Sequence, residues 1–239
     1  MSVLYSVTEG VATFTLNRPE SRNALNLEMC DRLVAVAQEC FSNSEIKLVL
    51  VRANGPVFCA GADLKERQGM SEAQVRERRM KGFAAYAALE ALPMPAIAVV
   101  EGPAVGSGCE IAGACDFIVA TPAASFRTPE AVRGTVGATQ RLPRILGKRL
   151  AKDLMFTGRT LSAEEAREAG LVARLVSASG LEEVLSSIRS EILKAPSGSL
   201  RLAKRCIDSG VELDPKGALD AEIAAIEEQL AAGSWMGKK

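Results

Sequence analysis

The 239-residue chain contains no histidine. That absence removes Ser-His and Cys-His nucleophile pairs and every metal site built on imidazole, so proton transfer falls to carboxylates, Lys, Tyr or Cys. Neither charge sign is in excess, since Lys+Arg and Asp+Glu both total 29. A neutral chain argues against nucleic acid as the main partner. No apolar run reaches the roughly 18 residues of a membrane span, and MSVLYSVTEGVATFTL lacks a basic, apolar leader. No membrane partner is expected, and the protein reads as non-secreted. The six cysteines (Cys30, Cys40, Cys59, Cys109, Cys115, Cys206) never form a C-x-x-C pair and sit among apolar residues. They read as core thiols in preference to disulfides or zinc ligands, so no metal is expected, and a reducing cytoplasm fits. G-x-G-x-x-G and G-x-x-x-x-G-K-[ST] are both missing, which disfavours the usual nucleotide-binding loops.

What is present is a hydrophobic content of 48%, enough for one large core. Residues 2–16 predict two short strands turned at Glu9-Gly10, and 27–41 carry apolar residues at helical spacing. The β-branched run at 46–53 predicts a buried strand. A loop, a charged helix from Ser71 to about Leu92, a strand at 96–101 and a second loop follow, and CDFIVA at 115–120 predicts another strand. This alternation predicts an α/β architecture with parallel pairing. The last third predicts mostly helix, with no linker to set it apart as a separate domain.

Two loops, PVFCAGADL and EGPAVGSGCE, follow strands and are expected to run into helix starts, where free backbone N–H groups can donate to an anion or a polarised oxygen. The same glycines also suit plain tight turns. Glu110, in CEIAGAC, has only small or apolar neighbours within a helical turn, so its side chain is expected in a desolvated space. Either it performs acid-base work or it is a structural Glu paired with an Arg or a backbone amide. Glu130, in FRTPEAVRG, follows a proline and reads equally as a first-turn Glu.

NRPESRNALN at 17–26, FCAGADLKE at 58–66, GPAVGSGCEIAGACDF at 102–117, FRTPE at 126–130, TQRLPRILG at 139–147 and FTGRTLSAEEAREAGLV at 156–172 form an ordered series over nearly the whole chain. By this series the sequence resembles the enoyl-CoA hydratase/isomerase family, the crotonase superfamily. The resemblance implies a spiral of β-β-α turns with two nearly perpendicular sheets over 1–175 and a C-terminal helical oligomerisation segment over 176–239. It implies a homotrimer, often stacked as a dimer of trimers.

The implied activity is hydration of a 2-enoyl-CoA thioester, with coenzyme A entering as part of the substrate and no further cofactor. On the family motifs the thioester carbonyl would be held by the backbone N–H groups of Ala62 and Ser107, and Glu110 and Glu130 would hold one water. Ala60, Gly61, Asp63, Leu64 and Lys65 would contact the substrate or its CoA, with Lys65 the candidate for the phosphates. Gly106 and Gly108 would let the second loop approach. GADLKERQGMSE is also similar to branched-chain hydratases acting on methylglutaconyl-CoA. The segment after Glu130, GTVGATQR, is shorter than the family's glycine-rich turn, so a displaced water or Glu130 is expected. The ending, ALDAEIAAIEEQLAAGSWMGKK, stops where relatives add a helix that covers CoA, so weaker binding or cover from another segment is expected. A Δ3,Δ2-enoyl-CoA isomerase and a non-catalytic binding subunit remain the alternatives.

Overall fold

The computed structural model describes residues 1–233. The oligomerisation segment expected over 176–239 therefore ends, at 234–239, outside the described residues. Strands β1 (Val3–Thr8) and β2 (Val11–Leu16) form the expected antiparallel hairpin. Strands β3 (Leu48–Ala53), β4 (Ala96–Val100), β6 (Phe117–Ala120) and β9 (Arg174–Leu175) add to it in parallel, giving the order β1-β2-β3-β4-β6-β9. A second sheet joins β5 (Pro103–Val105), β7 (Ser125–Arg127) and β8 (Thr160–Ser162). These three-residue strands carry too short a pattern to be read from sequence.

The apolar runs are continuous because the central strands are buried on both faces. Val49, Val51, Ala98 and Val100 point into one core with Met29, Leu33 and Val36 of α1 (Leu27–Ser42) and Leu89 of α2 (Glu72–Glu90). Leu48, Leu50, Ile97 and Val99 point the other way, onto Leu181, Leu185 and Ile188 of α6 (Leu181–Lys194). The first helix after residue 176 thus closes the main sheet.

Of the remaining helices, α3 (Ser107–Gly113) carries Glu110, and α4 (Arg141–Thr157) turns sharply at Gly147. The short α5 spans Ala163–Glu168. Helices α7 (Ser197–Gly210) and α8 (Pro215–Ala231) pack on each other. Lys204 of α7 ties them to the core through an ion pair with Asp116 at 2.9 Å. Five cysteines are buried and all six are free. Among the described residues, no helix is long and apolar enough to cross a membrane.

Candidate active site

In the NRPESRNALN segment the buried Asn23 and Leu25 do positional work. The Asn23 amide donates to Val57 O at 2.7 Å and Asn54 O at 2.8 Å, which holds the loop after β3 in place. Leu25 then pairs with Ala62 as an isolated parallel bridge: Leu25 N–H donates to Gly61 O, and Asp63 N–H donates to Leu25 O. In such a bridge the middle residue's own N–H and C=O face away from the partner. Among the described residues Ala62 N–H is left without an acceptor, on the side of the cavity.

Contrary to the expectation from sequence, the first loop does not run into a helix: a turn occupies 64–69 and α2 begins only at Glu72. The cause is Asp63, whose Oδ1 accepts from the N–H groups of Lys65 and Glu66 at 3.0 and 3.2 Å and curls the chain into that turn. Asp63 Oδ2 pairs with Arg18 at 3.0 Å. Burial pushes the Asp63 carboxyl up, but Arg18 and the two N–H groups outweigh it and hold the group below its usual range. Asp63 therefore shapes the loop and does not line the cavity. Lys65 is exposed on the same turn, also outside the cavity wall.

The second loop follows β5. Gly106 has φ +50° and ψ −106°, and a side chain there would run into Glu130 Oε1. Gly108 lies so close to the first loop that a Cβ would stand 2.5 Å from Cys59 O. Ser107 N–H, at the first position of α3, has no acceptor among the described residues, and Ser107 and Tyr86 line the same cavity.

A cavity of about 390 Å³ opens between these loops, α2 and the segment after Glu130. Ala60, Gly61, Ala62, Leu64, Gly106, Ser107, Glu110 and Glu130 all line it, while Gly108 packs beneath. Phe83, Tyr86 and Val136 supply apolar wall.

The two carboxylates occupy different surroundings. Glu110 is buried, but its Oε2 accepts from Arg141 Nη1 at 2.7 Å. Arg141 also pairs with Glu90 at 2.6 Å and lies 5.8 Å from the centre of the Tyr86 ring. The apolar sequence around Glu110 thus does not describe its full environment, because the cation arrives from α4. Glu130 begins a single 3-10 turn, Ala131–Arg133, and its Oε2 is buried without a hydrogen-bond partner. Burial, and then the charge of Glu110, push the Glu130 carboxyl above its usual range, against the nearby Arg133 and Arg79. An acid and a base can be drawn from one residue type in this way.

The two cysteines in the loops, Cys59 and Cys109, are buried. Burial pushes the Cys59 thiol up to about 12, and Cys109 is raised by the same cause. Among the described residues no group of three His, Cys, Asp or Glu is placed to hold a metal ion.

The family model for enoyl-CoA hydratase/isomerase matches residues 6–234. The chain belongs to the enoyl-CoA hydratase/isomerase family. It is 40% identical over 216 residues to the human "Enoyl-CoA hydratase domain-containing protein 2, mitochondrial", covering 86% of this chain and 73% of that one. It is 37% identical to "Enoyl-CoA isomerase/hydratase fer4" of Mycosarcoma maydis, covering 92% of this chain and 85% of the relative. The crystal structure of an enoyl-CoA hydratase from Bacillus anthracis superimposes with a TM-score of 0.92 at 36% identity, covering 95% of this chain and 90% of that one.

Three features of this family member's cavity were not singled out from sequence. Tyr86 and Arg79 line it and Arg141 holds Glu110 at its wall, all three from helices that look ordinary in the chain, and only Arg141 lay within a quoted motif, TQRLPRILG.

Proposed function

We propose that the protein adds water across the 2,3 double bond of a 2-enoyl-CoA thioester, giving a 3-hydroxyacyl-CoA. One observation carries this reading: Glu110 and Glu130 line a single cavity beside two backbone N–H groups that have no acceptor among the described residues, and the two carboxylates sit in opposite environments.

The thioester oxygen would accept from Ala62 and Ser107. Negative charge builds on that oxygen as water attacks, and each preorganised donor stabilises it by roughly 3 to 4 kcal/mol. Glu110 takes a proton from the water while its oxygen bonds to C3, and the electron pair of the double bond moves onto the thioester oxygen. As the enolate collapses, Glu130 delivers its proton to C2. Burial without a partner favours the protonated form of Glu130 that this step requires.

Coenzyme A comes with the substrate, and no other cofactor is needed. Its path would cross Ala60 to Ala62, with Lys65 at the exposed rim near the phosphates. Ile207, Val211, Leu219, Ile223 and Leu230 leave an exposed apolar stripe on α7, α8 and the turn between them, which supports assembly into trimers. Six free thiols support a reducing compartment such as the cytoplasm.

Mass and NMR analysis of products from crotonyl-CoA and 3-enoyl thioesters tests the activity. Water at C3 supports the reading, a shifted double bond without water assigns isomerisation, and binding without product assigns a non-catalytic subunit.

A further inference from the structure

The segment that replaces the family's longer glycine-rich turn has little to hold it. Thr135 N–H donates to Glu130 O at 2.9 Å, Val136 is 71% exposed, and Ala138 sits at φ +57°, a conformation unfavourable for a residue with a Cβ. Yet the segment covers Glu130: Gly137 lies so close that a Cβ would stand 2.9 Å from Glu130 Cγ. The tether comes from across the cavity. On α2, Arg79 spends both terminal nitrogens on this turn, Nη2 donating to Thr135 Oγ1 and Nη1 to Val136 O at 3.2 Å. Among the described residues it forms no salt bridge, although its charge bears on Glu130.

We propose that Arg79 is a positioning residue that straps the 134–138 turn to α2, pressing it onto Glu130 so that the carboxyl stays fixed and away from water. The strap rests on the hydratase reading for its catalytic consequence but not for its structural one. Arg78, one residue earlier, turns to the opposite half of the site: it is buried, donates to Leu25 O and pairs with Glu66 at 2.8 Å. Consecutive arginines on one helix thus brace the loop bearing Ala62 and the turn over Glu130.

The test compares Arg79→Met, Thr135→Val and the double variant of the full chain, by steady-state hydration of crotonyl-CoA and by amide hydrogen exchange. Thr135→Val removes the acceptor while leaving the guanidinium charge. Each single change is expected to lower kcat about tenfold through the loosened Glu130. KM is expected to stay within about twofold, because the loss lies in the chemical step. The double variant is expected to be about tenfold slower, not about a hundredfold, since Arg79→Met already cuts the contact that Thr135→Val removes. Exchange of the Thr135 amide, which donates to Glu130 O, should accelerate in all three, with the rest of the chain unaffected. Multiplying losses, a loss confined to KM, or unchanged protection of the Thr135 amide in Arg79→Met would each overturn the strap. If the wild-type chain hydrates nothing while that amide still opens in Arg79→Met, the hydratase reading fails and the strap stands.

Discussion

Cys59 and Ala104 face each other in a single parallel bridge, with Cys59 N–H donating to Pro103 O at 3.2 Å and Val105 N–H to Cys59 O at 2.8 Å. The bridge sets the two loops in register, so that Ala62 and Ser107, each three residues beyond it, reach the same cavity.

Gly108 is what permits that approach. Gly108→Ala would press a methyl onto Cys59 O, a backbone atom that cannot swing aside, and is expected to cost about 1 to 3 kcal/mol. Turnover should fall with it, because the loops must part. Gly170→Ala is the control: its φ of +84° makes alanine cost about 1 kcal/mol, but the space is open and Gly170 is not part of the cavity lining, so kcat should hold. Thermal unfolding and steady-state rates measure both.

Glu110→Gln and Glu130→Gln remove one proton acceptor and one proton donor without changing shape. Each is expected to lower hydration by about 100-fold or more while circular dichroism stays that of the wild type. Wild-type hydration in either variant would remove that residue from the chemistry.

The raised Glu130 carboxyl gives a pH dependence of definite sign. Its proton is available below the folded-state value, so hydration should decline as pH rises through that value, and a pH–rate profile would show this alkaline limb. Stability follows the same linkage. An unfolded Glu130 ionises near about 4.3 while the folded one keeps its proton longer, so rising pH between those two values favours the unfolded chain. Glu130→Gln lacks this penalty. Its melting temperature should exceed the wild type's at neutral pH, and the difference should vanish below the ordinary carboxylate range.

Arg141 ties Glu110 to Glu90 across two helices. Arg141→Met would strand a buried carboxylate and is expected to destabilise the fold by about 3 kcal/mol. Hydration should fall as well, since Glu110 loses the group that orients it. Denaturant unfolding at neutral pH reads the first effect.

Legibility from sequence followed the length of the physical pattern. The hairpin at Glu9-Gly10, the helix after Asn26 and the strand containing Leu48 to Val51 are carried by periodicities of five residues or more, and each stands where the pattern puts it. Strands β5, β7 and β8 are three residues long and were invisible. In the site, Glu110 and the two glycine loops were legible because a carboxylate among apolar residues and glycines after a strand are locally anomalous. Arg141 and Arg79 were not, because an arginine on a helix is commonplace, and what distinguishes these two is a partner 31 or 56 residues away. The Asp63 turn was hidden by the opposite effect, a familiar motif whose carboxylate faces its own backbone.

The most direct test of the account is the product formed from crotonyl-CoA in water enriched in heavy oxygen, analysed by mass spectrometry and NMR. Hydration by the two glutamates gives 3-hydroxybutyryl-CoA carrying the heavy oxygen at C3, lost together in Glu110→Gln and Glu130→Gln. Turnover that shifts a double bond without taking up solvent oxygen, or a bound thioester that stays unchanged, would contradict it.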